Sequence, residues 1–68
     1  MKVKELIGTY AGNAIIERLV QHDDGNEYVH VYTGSPSFID DAAIKDSEII
    51  LLQTVTKWGN PFLDITIE

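Results

Sequence analysis

A chain of 68 residues, 44% apolar and 24% charged, is one small domain over residues 1–68, and a domain of this size buries only about 60% of its unfolded surface. With no cysteine, disulfides and thiolate metal sites are excluded, and no run approaches the ~18 apolar residues of a membrane span. Eleven acidic side chains against five basic ones, a net charge of −6, oppose contact with a phosphate backbone and argue against direct nucleic-acid binding.

The first residues, Met1-Lys2-Val3-Lys4-Glu5-Leu6, carry two lysines but no apolar stretch behind them. No signal peptide is expected, and a soluble cytoplasmic protein is the expectation. Val3, Leu6, Ile7, Tyr10 and Ala11 recur at the spacing of one helix face, which predicts a short amphipathic helix over residues 2–11. Gly12-Asn13 follows as its stop. A first strand using Val3, Glu5 and Ile7 competes with that reading.

Next comes a hairpin from Ala14 to Thr33, turning at His22-Asp23-Asp24-Gly25-Asn26. Asp-Gly between alternating apolar and polar residues is a strong hairpin signal. With Asp24-Gly25 as the turn, or Asp23 to Asn26 as the loop, Val20 faces Val29, Arg18 faces Val31 and Ile16 faces Thr33 on the core side. The opposite face pairs Leu19 with His30, Glu17 with Tyr32 and Gln21 with Tyr28. A slip of one residue changes every pair.

Gly34-Ser35-Pro36-Ser37 ends the strand, since Pro36 cannot donate to a ladder. Ser37 and Asp40 have capping-box spacing, and Asp40 and Asp41 fit the first turn of a helix. A helix over roughly 38–45 is expected, with Phe38, Ala42 and Ile44 against the sheet. Ile49-Ile50-Leu51-Leu52 is apolar on both faces, the mark of a strand that is central or covered on both sides. Trp58-Gly59-Asn60-Pro61 makes a turn, with Trp58 expected to fold back over the end of the core. Leu63, Ile65 and Ile67 alternate with Asp64, Thr66 and Glu68 in a half-exposed last strand. The order α-β-β-α-β-β implies an α+β fold, a four-stranded antiparallel sheet with one or two short helices on one face.

In outline this layout resembles small phage and prophage proteins of Gram-positive bacteria. Such proteins open on a Met-Lys-x-Lys-Glu-Leu/Phe-Ile helix, carry a hairpin ending in Tyr-x-Gly, and finish on an Ile-x-Ile-Glu strand. The matching residues are Lys4-Glu5-Leu6-Ile7, Tyr32-Thr33-Gly34 and Ile65-Thr66-Ile67-Glu68. Ile44-Lys45-Asp46-Ser47 departs from the Val-x-x-Ile-like entry to their third strand. The resemblance implies an origin in a mobile element and carries over no catalytic residue.

Clusters with chemical potential are few. Ser35 and His30 lie near one strand end without a third catalytic partner, and serines beside Pro36 serve turns and caps. The loop His22–Glu27 is rich in oxygen ligands but lacks the alternation and the distant Glu of a calcium loop. Glu17 opposite Tyr32 needs a cleft to act as an acid-base pair. Gly8-Thr9-Tyr10-Ala11-Gly12 has no lysine for a phosphate loop. No catalytic residue, metal site or cofactor is therefore expected.

The remaining candidate is the face of Leu19, Tyr28, His30 and Tyr32, where tyrosines offer large contact area and a polar tip. A second candidate is the acidic set Asp40, Asp41, Asp46 and Glu48. The expected function is non-enzymatic protein–protein contact. A structural homodimer, or an acidic mimic that occupies a nucleic-acid-binding protein, are the alternatives.

Overall fold

A computed structural model describes residues 1–68. Two hairpins build the sheet. Strands β1 (Ala14–His22) and β2 (Gly25–Gly34) form the first; β3 (Ile49–Lys57) and β4 (Asn60–Ile67) form the second. The strand order is β2-β1-β4-β3. Both hairpins are antiparallel, but β1 and β4 run parallel, with Ala14 beside Leu63 and Ile16 beside Ile65. The expected all-antiparallel sheet is thus a mixed one. The segment after β2 carries the chain across one face of the sheet, so that the last strand of the second hairpin docks beside β1.

This order exchanges the expected positions of the last two strands. β4 is central, and Leu63, Ile65, Thr66 and Ile67 are all buried. β3 lies at the edge, with Ile50, Leu51 and Leu52 exposed.

One face is covered. Val3, Leu6, Ala14, Ile16, Ile39, Leu63, Ile65 and Ile67 form the core, flanked by Tyr10, Val31, Tyr32, Ile44 and Ile49. The cover is turns more than helices. In place of the helix over 2–11 there is a 3-10 turn, Val3–Glu5. The chain leaves the helical path at Gly8 (φ +94°), and the Thr9 hydroxyl donates to the carbonyls of Glu5 and Leu6, a local bond that competes with helix propagation. Val3, Leu6 and Tyr10 still reach the core.

The helix expected over 38–45 is divided in the same way. A 3-10 turn, Pro36–Phe38, precedes the single-turn helix α1, Ala42–Lys45. Buried Ile39 lies between them in extended conformation. The cap is Asp41, whose Oδ1 accepts from the Ala43 amide at 2.8 Å, and not the Ser37–Asp40 box. Phe38 points to solvent.

The first hairpin turns at Asp23-Asp24, with His22 opposite Gly25. This moves the expected register by two residues, which preserves the faces but changes the partners. Leu19 faces Tyr28 and Glu17 faces His30. A bulge at Val31 then adds one residue, so Tyr32 pairs with buried Ile16.

The second hairpin turns at Trp58-Gly59, both with positive φ (+53° and +75°). Left-handed backbone is rare for a bulky residue and costs about 1–2 kcal/mol. Trp58 is 77% exposed and does not cap the core. Its ring meets Phe62 edge-on at 5.5 Å, a contact worth about 0.5–1.5 kcal/mol. Replacing Trp58 by Asn, which suits this turn position, removes strain and contact together, so its stability by urea unfolding should stay within about 1 kcal/mol of the parent. Trp58→Ala keeps the strain, loses the ring and should be the less stable of the two.

Candidate partner-binding face

The other face of the sheet has no covering element. The molecule measures 37 × 29 × 17 Å, and its radius of gyration of 12.0 Å exceeds the roughly 11 Å of a compact chain this long. It is a thin slab, with its core on one side.

Alternation places the side chains of this open face. His30, Glu17, Thr66 and Leu51 form one row across the four strands, and Thr33, Ile15, Asp64 and Gln53 form the next. Tyr28 and Leu19 pair at one end of β1, and Phe62 and Val55 pair towards the opposite end of the sheet. On the central strands Ile15, Phe62 and Thr66 are buried, while Tyr28 on edge strand β2 stands 57% exposed.

Two shallow hollows lie on this face. One, of about 250 Å³, is lined by Glu17, Tyr28, Leu51, Gln53, Asp64 and Thr66. The other, of about 280 Å³, is lined by Leu19, Gln21, Ile50 and Glu68. In the first, Gln53 Nε2 donates to Asp64 Oδ2 at 3.0 Å. The second oxygen of Asp64 is shielded from water and has no hydrogen-bond partner. A shielded carboxylate oxygen without a donor is costly.

The four residues nominated from sequence divide. Leu19, Tyr28 and His30 share the open face. Tyr32 is on the covered face, where its ring packs against the core and its hydroxyl donates to the Ser35 carbonyl at 2.6 Å. The bulge at Val31 causes this exchange. Sequence reasoning passed over Ile50, Leu51 and Asp64, which complete the face. The signal for Asp64 was present in the alternation of β4 and that for Ile50 and Leu51 in the apolar run of β3, but using either requires knowing that β4 is central and β3 an edge.

His30 Nε2 lies 2.6 Å from Thr33 Oγ1. This is the contact of a base with a hydroxyl, made on an exposed surface with no carboxylate hydrogen-bonded to the imidazole. His22 pairs with Glu27 at 2.9 Å beside the hairpin turn, on the opposite face from His30. No three His, Asp or Glu side chains are grouped to hold a metal ion.

The acidic set has local partners. Asp41 caps α1, Asp46 meets Lys4 Nζ at 3.3 Å, and Glu48 meets the N-terminal ammonium at 3.2 Å. Asp40 is exposed beside them. On the covered side Arg18 Nη2 donates to Ser47 Oγ at 3.4 Å, while its Nε has no partner. No helix is long and apolar enough to cross a membrane. Comparison with family models, with curated proteins and with solved structures finds no match.

Proposed function

We propose that this chain is a non-enzymatic accessory protein that acts by binding a protein partner across its open sheet face. A cytoplasmic setting and a phage or other mobile-element origin go with that reading. One observation carries it: Leu19, Tyr28, Ile50 and Leu51 lie on a face that no element of the chain covers. A complementary partner is apolar, with polar groups for Glu17 and Gln53, which line the hollow beside Leu51. Contact of this kind resists salt, because apolar burial is not screened as surface charge is.

The test is affinity capture from host lysate at low and high salt, with the parent chain and with a Leu19→Ser/Tyr28→Ser variant. These side chains are half-buried or exposed, so the variant should remain folded. The parent should retain its partner at high salt and the variant should lose it. Equal capture by a folded variant, or capture abolished by salt alone, would sink the proposal, and the second result would favour the acidic mimic.

A further inference from the structure

The outer edge of β3 poses a separate question. Lys57 and Asn60 flank a two-residue turn, so they form a hydrogen-bonded pair, and bonded pairs alternate along an antiparallel ladder. The N–H and C=O groups of Leu52, Thr54 and Thr56 therefore point outward, away from β4. The start of the same edge is already filled. The Ile49 amide donates to the Met1 carbonyl at 2.8 Å, and the Val3 amide donates to the Ser47 carbonyl at 3.1 Å. The N-terminal residues thus act as a fifth, very short strand over 47–49, and the edge is open from there on.

Soluble proteins blunt such edges with charge, proline or bulges. Between Ile49 and Thr56 there is no charged residue and no proline, and a bulge at Ile50 is the one such device. Ile50, Leu51 and Leu52 are 45%, 48% and 42% exposed, although their sequence has the character of a strand covered on both faces. The other edge, β2, carries Glu27 and His30, glycine at both ends and its own bulge.

We infer that a second copy of this chain pairs with β3, antiparallel across a two-fold axis, joining two four-stranded sheets into one of eight strands. Hydrogen bonding sets the direction. Asp46 and Glu48 at the start of β3 are already met by Lys4 and the Met1 ammonium, so charge does not. Two copies of one outward set, Leu52, Thr54 and Thr56, exchange N–H and C=O groups across a two-fold only when the strands run antiparallel, because in-register parallel copies would set N–H against N–H. Met1 sets the register. It occupies the position outside Ile49, so the incoming strand must stop short of it. The two-fold then falls at Thr54, with Leu52 across from Thr56 of the second copy and Gln53 across from its Val55. Closed two-fold pairing uses up both free edges and leaves no open end for further growth. The open faces of the two copies become one continuous surface, but the pairing itself does not depend on what that surface binds.

Sedimentation velocity over a wide concentration range tests this. The mass should rise from 7.6 kDa to twice that value. Thr54→Lys sets two cations against each other at the axis and should weaken association at least about tenfold, since like charges directly opposed destabilise a strand pair. Thr54→Pro, which removes an outward N–H without breaking a bond to β4, should do the same. In the unmodified chain, amide exchange at Leu52, Thr54 and Thr56 should slow as concentration rises, while Gln53 and Val55 stay unchanged. That pattern decides the matter even if a variant fails to fold. A chain that is monomeric throughout overturns the inference. So does a dimer that survives both Thr54 variants, or one that Leu19→Ser/Tyr28→Ser abolishes while Thr54→Lys does not.

Discussion

Ile16→Ala should remove about 3–4 kcal/mol of stability, a third or more of all that the chain has. Ile16 lies on central strand β1, fully buried, paired with Tyr32 on one side and Ile65 on the other. Truncating a buried Ile to Ala costs about 2–5 kcal/mol, the upper part where neighbours cannot collapse into the void. Ile16 is fixed between two ladders, so about 3–4 kcal/mol is expected. Sixty-eight residues at ~0.05–0.15 kcal/mol each supply roughly 3–10 kcal/mol in total. The loss is thus a large part of the whole. Ile16→Val, with one methyl removed, should cost only about 0.5–1.5 kcal/mol. Urea unfolding followed by circular dichroism checks both. A cost below about 1 kcal/mol for the Ala variant would mean that the packing does not centre on the β1–β4 seam.

That seam is also where sequence reading reached its limit. All four strands are legible because alternation and turn residues are local signals, and so are the opposite orientations of Arg18 and Leu19. Which strand docks on which is not local. Leu63, Ile65 and Ile67 state that β4 has a buried face, but nothing in them says that β1 lies beside it in parallel. The run Ile49–Leu52 states that both its faces are apolar, and within one copy that reads as a central strand. At an edge the same residues acquire a reason if a second copy covers them.

The short helices failed for another cause. A helical spacing of apolar residues is preserved by successive turns that each bury one of them, as Val3, Leu6 and Tyr10 show. The candidate face was legible in three of its four residues. Tyr32 left it because one bulge reverses the alternation, and the force that stabilises the bulge is tertiary: the Tyr32 ring against the core and its hydroxyl on the Ser35 carbonyl.

The end of β2 offers the second large effect. Gly34→Val should destabilise the chain by about 2–3 kcal/mol, the upper part of the ~1–3 kcal/mol for side chains forced into sparsely populated backbone regions. Gly34 has φ +140°, which a β-branched residue adopts only under strain. Space is short as well. A Cβ at Gly34 would sit 3.2 Å from the Tyr32 hydroxyl oxygen, and that oxygen is held by its 2.6 Å bond to the Ser35 carbonyl. The side chain cannot move aside without releasing the bond that fixes Tyr32 on the covered face.

Tyr32→Phe separates the two causes. Alone it should cost about 0.5–1.5 kcal/mol for the lost hydrogen bond. Combined with Gly34→Val, it removes the oxygen that the new side chain meets. The double variant should therefore lose less than the two single variants together, with a coupling of about 0.5–1 kcal/mol in a double-mutant cycle. Strict additivity would assign the whole Gly34 effect to backbone conformation. A Gly34→Val chain as stable as the parent would mean that β2 ends in ordinary extended geometry, and Tyr32 would then have no such constraint holding it to the core.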